Sequence, residues 1–472
     1  MTRVLEFVVA VIMVFILAVI VGLFLPSHGH IERTIDISHN PRHIYDILNN
    51  FRRFPDYAGP VFQAEDPQVK FSLSGPAYGP GAKISWTGNE AVGNGTLTNE
   101  SGNFDITGNG KVVWDLQNDW HGTDKVFTLQ IEPRNNQRLS HVTWSYDVDY
   151  GWNLIDRYSQ LWIHGDPATL INYSLNGLQN LLASIPNVDY SKVPMRLVQT
   201  QPVPVLLVST QAPRTLDDVD AATDAAMKQI RQAMDKLGVK AAGPRTVITT
   251  EYGDQNYIFD VAVPIDTTTL TVNGQSYDLT KLPPPPTAAQ QLAAASSAPA
   301  SSSSAAPASG ASAGAPASGS SAGAPPQPGS LDKKNQLVVD ASVRAVMLPG
   351  GEALESEWTG SPAGLPLLRL DLKAYAETHG YKYNDTADRI YDQLVSLPKA
   401  PYDQQSWRVF LPVQNAPAQT PEQAAGRVPP LAPLNPAIWT ASAAPPSSSS
   451  AGQKPEAGKK KPEAHKARHR HR

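Results

Sequence analysis

The sequence contains no cysteine, which excludes disulfides, thiolate-held zinc or iron–sulfur clusters and a cysteine nucleophile. Charge is scarce too: 17% of the 472 residues are Asp, Glu, Lys or Arg, and the net charge is −4. Such a chain has no overall field for gripping nucleic acid, and none is expected as a partner. Gly-rich phosphate loops, clustered metal ligands and nucleophile signatures are missing from the regions that look folded. No cofactor, no metal and no catalytic residue are therefore expected, and binding is preferred to catalysis.

Two stretches have no charge at all. Phe7 to Leu25 is 19 consecutive uncharged, almost wholly apolar residues ended by Pro26, close to the length a helix needs to cross a bilayer core. The residues after it, Ser27, His28, Gly29 and His30, offer no small-x-small cleavage pattern, so residues 1–29 read as an uncleaved membrane anchor. Arg3 marks the short side as cytoplasmic, which puts the rest outside the inner membrane, in a periplasm if the cell is a diderm bacterium. The second stretch, Leu282 to Leu331, is Ala, Ser, Gly and Pro with occasional Gln, Thr and Leu; it has too little bulky apolar surface to offset its ordering entropy. A flexible linker is expected over 282–335. Residues 415–472 read as a Pro/Ala-rich tail ending in a basic run, Lys454 to Arg472, with eight Lys or Arg against two Glu. That run either contacts anionic lipid or polymer or is a solvated terminus.

Residues 30–187 form a first globular region. Ile31 to Ser38 alternates as a strand, Asn40 and Pro41 open a helix whose buried stripe is Ile44, Ile47 and Leu48, and short β-type runs follow. These runs are Val69–Leu73, Ala82–Trp86, Gly95–Asn99, Lys111–Leu116, Lys125–Ile131 and Arg138–Val148, separated by local turns, which predicts an antiparallel sheet. Trp152 to Ile185 has helical spacing, broken near Gly165–Pro167. Trp86, Trp114, Trp144 and Tyr146 either line a cavity for a flat or apolar molecule or pack as ordinary core. Glu90 and His121 follow turn signals and are expected at the surface.

The strings IERTIDISHNPRHIYDILNNFRRFPDY (31–57), FSLSGPAYGPGAKISWTGNEAVGNGTLT (71–98) and VTWSYDVD (142–149) resemble the START-like SRPBCC (polyketide cyclase/dehydrase) superfamily. The resemblance implies a helix-grip fold enclosing an apolar ligand cavity. It transfers no catalytic residue.

Residues 193–414 carry a repeat at an offset of 148, aligning Arg196 with Arg344, Leu206 with Leu354, Val261 with Val409 and Pro264 with Pro412. Each copy holds an alternating strand ended by Pro, FDVAVPI at 259–265 and WRVFLPV at 407–413. Each also holds one helix: Thr215 to Leu237, with Thr215 and Asp218 at capping-box spacing and Gly238 as its stop, and Pro366 to His379. Because the linker joins the copies without cutting either, their pairing remains feasible.

These motifs, with MRLV at 195–198 and VRAVMLPGGEALESEWTG at 343–360, resemble the GyrI-like effector-binding domain. The resemblance implies two βαββ-type halves about a pseudo-twofold axis with a ligand cleft between them. In relatives that bind cationic drugs an acidic residue stands four before the final Pro; here that place holds Arg408, with Asp260 as its counterpart in the first copy. Arg408 either reads a partly anionic or planar ligand together with Tyr375, Tyr402 and Trp358, with Glu355 or Glu357 as its acidic partner, or points to solvent at a sheet edge. Some relatives hydrolyse small molecules with Glu and Tyr, for which Glu357 and Tyr402 are the candidates here.

The expected fold class is α+β: an N-terminal transmembrane helix, a helix-grip antiparallel sheet domain, then a duplicated βαββ-type effector-binding domain. The preferred function is a membrane-anchored binder of a hydrophobic or amphiphilic small molecule or lipid; the alternatives are a hydrolase or cyclase, or an envelope scaffold.

Overall fold

The structure, a computed structural model, describes residues 2–136, 138–163, 165–284, 327–385, 389–414 and 416. The basic tail and most of the linker lie outside the described residues. Helix α1 (Thr2–Phe24) takes up the apolar run, and its side chains lie almost wholly on the surface. Its stretch Arg3–Phe24 is long and apolar enough to cross a membrane.

The first module begins with β1 (His28–Ile37), then α2 (Pro41–Leu48), α3 (Phe54–Tyr57) and α4 (Gly59–Glu65). As the sequence predicts, Asn40 caps α2 by accepting from the Arg42 N–H, with Pro41 in the first turn. Six strands follow in a meander: β2 (Lys70–Ser74), β3 (Lys83–Thr87), β4 (Asn94–Phe104), β5 (Gly110–Asn118), β6 (Thr123–Arg134) and β7 (Leu139–Asp149). They complete a seven-stranded antiparallel sheet ordered β1-β7-β6-β5-β4-β3-β2. The chain closes with α5 (Leu154–Ser159) and α6 (Asp166–Ala183), separated near Gly165 as expected. The buried side of α6, which includes Ile171, Leu175, Leu178 and Leu182, joins the sheet's core.

Two glycines mark how tightly these layers meet. A Cβ on Gly177 of α6 would lie 2.1 Å from the Tyr57 carbonyl oxygen, so only glycine lets α6 approach α3. A Cβ on Gly95 would lie 2.1 Å from the Trp86 ring, which covers β4 at that point.

Strand β4 runs past the expected end at Asn99 to Phe104, through an irregularity between Asn99 and Ser101. Ladder hydrogen bonds to β5 extend it where Glu100 to Phe104 offers no buried side chain, so no apolar alternation marks it.

The second module contains β8 (Arg196–Thr200), β9 (Val203–Pro213), α7 (Leu216–Leu237), β10 (Thr246–Tyr252), β11 (Asn256–Pro264) and a small hairpin of β12 (Thr269–Val272) and β13 (Gln275–Asp278). Beyond the linker come β14 (Leu337–Val338), β15 (Val343–Leu348), β16 (Gly351–Thr359), α8 (Leu365–Thr378), β17 (Tyr391–Leu394) and β18 (Ser406–Pro412). Thr215 caps α7, and Gly238 ends it at φ 67°.

The repeat seen in the sequence maps element for element: β8, β9, α7, β10 and β11 onto β15, β16, α8, β17 and β18. One nine-stranded sheet holds both copies, ordered β14-β15-β9-β11-β10-β17-β18-β16-β8. Its centre is the β10–β17 pair, Ile248 opposite Tyr391. The copies exchange their first strands: β15 pairs with β9, and β8 with β16. Each half thus completes the other, so the linker cannot divide the module into two units.

One linker boundary needs correction. Residues 327–335, assigned to the linker by composition, are folded: Gly329 N–H donates to the Val338 carbonyl at 2.8 Å, and the Asn335 amide donates to the Pro284 carbonyl at 2.7 Å. Main-chain and amide hydrogen bonds fix this segment, and composition carries no sign of them.

Candidate functional site

Three places gather the polar and aromatic side chains: the concave face of the first sheet, the face of the second sheet away from α7 and α8, and the junction between them. On the concave face Trp86 of β3, Trp114 of β5, and Trp144 and Tyr146 of β7 are all buried. Trp114 meets Trp144 edge to face at 5.4 Å, Phe51 lies 5.1 Å from Trp114, and Phe127 lies 5.7 Å from Trp144. The centre is therefore filled by the protein's own rings, and of the two readings of these tryptophans it favours packing.

Packing leaves one thing unaccounted for. The indole nitrogens of Trp86, Trp114 and Trp144, the Tyr57 hydroxyl and the Ser174 hydroxyl are buried with no hydrogen-bond partner among the described residues. A buried unsatisfied polar group costs roughly 1–3 kcal/mol, so a purely structural core would be expected to shed some of them. Burial also pushes the Tyr57 phenol well above its ordinary range.

A surface groove of about 140 Å³, lined by Phe51, Arg52, Leu73, Gly75, Ala82 and Lys83, opens beside α2. It is smaller than the several hundred Å³ usual for a drug-sized ligand. Its wall residue Phe51 is also the ring that lies against Trp114, so Phe51 stands between the groove and that indole.

In the second module α7 and α8 cover one face of the sheet. Strand alternation sends Leu354, Trp358, Trp407 and Val409 toward α8, and Glu355, Glu357 and Arg408 to the other face. There Arg196 stands opposite Glu355, and Arg408 opposite Glu357. The ion pairs run diagonally, Arg196 to Glu357 at 2.9 Å and Arg408 to Glu355 at 3.9 Å. Burial pushes the Glu355 carboxyl up, against the opposing pull of Arg408 and Arg196. On the same face Asp260 accepts from the Ser209 hydroxyl at 2.6 Å and pairs with Arg389 at 3.2 Å.

The cluster expected around Arg408 is not assembled. Trp358 faces α8, with its indole donating to the Ser361 carbonyl; Tyr375 stacks on His379 at 3.9 Å; the Tyr402 hydroxyl donates to Asp220 of α7. Because β16 and β18 alternate, Arg408 lies on the face opposite all three. Glu357 and Tyr402 are separated for the same reason, so the pairing expected for hydrolysis is absent. His121 is exposed beside Asp156, and Glu90 is exposed.

Sequence reading missed the junction. Asn50 donates to the Thr378 carbonyl, Arg52 to the Gly380 carbonyl and Arg53 to the Glu377 carbonyl, so the α2–α3 turn caps the C-terminal end of α8. Beneath it the Tyr190 hydroxyl donates to Asp46 at 2.8 Å and lies 2.9 Å from the Thr378 hydroxyl, while His43 stacks on Tyr190 at 4.6 Å. His39 and His43 are hydrogen-bonded at 2.9 Å, and burial lowers each to a pKa of about 4. A further buried pair joins Arg369 of α8 to Asp392, with Tyr257 accepting from the same guanidinium. The signals were the adjacent Arg52 and Arg53 between Phe51 and Phe54 and His39 and His43 at helical spacing.

No protein-family model matches the sequence, and no curated protein matches it. Among solved structures, the chain is similar to the C-terminal domain of EcmrR at 10% identity, over 48% of this chain and 99% of that one, with a TM-score of 0.28. XoxI from Bacillus cereus is 15% identical over 33% of this chain and 96% of its own, with a TM-score of 0.24. Norcoclaurine synthase from Thalictrum flavum is 12% identical over 34% of this chain and 90% of its own, with a TM-score of 0.26. Likeness at this level carries no statement about activity.

Proposed function

We propose that this chain is a membrane-anchored binder of a small hydrophobic or amphiphilic molecule, held by α1 on the outer side of a bacterial cytoplasmic membrane, with modules of the START-like SRPBCC and GyrI-like kinds. The observation that carries this reading is the set of five unpartnered polar atoms on Trp86, Trp114, Trp144, Tyr57 and Ser174 inside an otherwise apolar interior. All five are donors, three fixed indole N–H groups and two hydroxyls that turn readily, and a guest that brings acceptor oxygens within an apolar body satisfies them. A fatty acid or another lipid has that chemistry. Entry is by the groove at Phe51, whose ring must turn aside. In the second module Asp260, Glu355, Glu357 and Arg408 form the polar part of a second site, where an anionic group would compete with Glu355 for Arg408.

Titration of the full-length chain in detergent micelles with a medium-chain fatty acid tests the first site through tryptophan emission. A saturable change at one ligand per chain is expected. A response that rises linearly with no saturation refutes the reading.

The scaffold reading is favoured by one observation, the ring-filled centre of the first sheet. It requires the five orphaned atoms to be tolerated without any compensating ligand.

A further inference from the structure

The residues just after the first sheet pack against the last turns of α1. The Tyr158 hydroxyl donates to the Ala18 carbonyl at 2.6 Å, and Arg157 donates to the carbonyls of Leu23 and Leu25 at 3.2 and 3.3 Å. Gly22 admits this approach, since a Cβ there would lie 3.1 Å from the Tyr158 ring and 3.2 Å from Leu154. Arg157 satisfies carbonyls that the end of α1 leaves open, and its positive charge suits that end of the helix.

This contact sets a depth. Ala18 stands seven residues before Leu25, which at the helical rise is about 10 Å back along α1 from where the chain leaves the apolar run. Whatever lies beside Ala18 therefore lies level with the membrane once α1 spans it. The element beside it is α5, and the segment around it exposes large apolar side chains: Trp152, just before it, is 83% exposed, Ile155 within it 71%, and Leu161, just after it, 60%. Trp152 stacks over the Arg157 guanidinium at 5.1 Å, an aromatic and cationic pairing suited to a headgroup zone.

We propose that Trp152, Ile155 and Leu161 form a second membrane contact, seated in the outer headgroup and acyl boundary of a phospholipid bilayer beside α1. The proposal rests on the reading of α1 as a membrane span. Continuity with α1 names the occupant: the segment that carries these side chains packs, through Leu154, Arg157 and Tyr158, on the last turns of a helix whose own surface requires lipid. The contact holds the first module against the bilayer instead of leaving it on a loose stalk.

The absence of cysteine makes the test direct. Single-cysteine variants Ile155→Cys and Leu161→Cys carry an environment-sensitive fluorophore in the full-length chain reconstituted into phosphatidylcholine and phosphatidylglycerol vesicles. Phe15→Cys in α1 serves as the spanning control. Ile106→Cys, at a fully exposed turn between β4 and β5, serves as the aqueous control. With a nitroxide quencher on the lipid acyl chain, labels at Ile155 and Leu161 are expected to be quenched at least twofold more than the label at Ile106, and their emission to be blue-shifted. Quenching at Phe15 with Ile155 and Leu161 indistinguishable from Ile106 overturns the second contact while leaving the anchor standing. A label at Phe15 that is not quenched overturns the anchor and the second contact together.

Discussion

Arg53 and Glu377 meet twice: the Arg53 guanidinium donates to the main-chain carbonyl of Glu377 at 3.1 Å and to its carboxylate at 2.9 Å. One residue belongs to the first module and the other to the last turn of α8, so this pair and its neighbours Asn50 and Arg52 join the two modules. Replacing Arg53 by Ala removes both contacts and leaves α8 less well capped. A loss of about 1–2 kcal/mol is expected, since the pair is only partly exposed and one bond is to backbone. Hydrogen exchange should report it as faster exchange in the last turn of α8, with the β5–β6 amides unchanged.

The junction also sets an acid limit. His39 and His43 are neutral when folded, with pKa values lowered to about 4 from 6.5 by burial. The unfolded chain thus binds protons that the folded chain refuses between these values. Stability is full above pH 6.5 and falls as the pH drops toward 4. Asp371 acts in the opposite sense: burial, with nearby Asp189, raises it to about 6 from 3.8, so its cost is present above pH 6 and relieved toward pH 4. Thermal melts of His43→Phe, which keeps the stack on Tyr190, should show a shallower decline between pH 6.5 and 4.5 than the parent. Asp371→Asn should melt higher at pH 7, with the gain vanishing near pH 4.

The close approach at Gly177 predicts a large effect from a small change. In Gly177→Ala the new methyl meets the Tyr57 carbonyl oxygen at 2.1 Å, and backbone rather than a flexible side chain must yield. A destabilisation on the order of 3 kcal/mol is expected from forcing α6 off α3, measurable by urea denaturation. Gly238→Ala, at the left-handed end of α7 with nothing near its Cβ, should cost about 1 kcal/mol.

The orphaned hydroxyls give the opposite sign. Tyr57→Phe and Ser174→Ala each delete a buried group with no partner among the described residues, so each should be neutral or stabilising by up to about 1 kcal/mol in the ligand-free chain. The same substitutions should weaken fatty-acid binding. On the charged face Arg408→Ala should destabilise by about 1–3 kcal/mol by leaving buried Glu355 with less compensation, and Glu355→Gln should cost less. Unchanged affinity of Arg408→Ala for every anionic ligand tried would dispose of Arg408 as a ligand contact.

These predictions divide along what a sequence can carry. Short-range chemistry was legible: the Asn40 cap, the Gly238 stop, the break at Gly165 and the 148-residue repeat all have local causes. Their consequences for the fold class, α+β with an apolar N-terminal helix and large antiparallel sheets, followed. Whatever depended on which face a side chain takes in the assembled sheet did not. Trp358 and Arg408 look like neighbours in a list of polar and aromatic residues, yet one position of strand alternation puts them on opposite faces. The exchange of β8 and β15 left no local trace; the adjacent Arg52 and Arg53 were visible, but their partners, Gly380 and Glu377 at the end of α8, were not, because both features depend on contacts between residues far apart in the chain.

The central claim is that the interior beneath Trp114 and Trp144 receives a guest, and native mass spectrometry of the full-length chain released from detergent tests it most directly. The account predicts a single adduct of small-molecule mass at one per chain, retained in the parent and lost when Tyr57→Phe and Ser174→Ala are combined. A bare chain mass in the parent, before and after exposure to excess fatty acid, would contradict it.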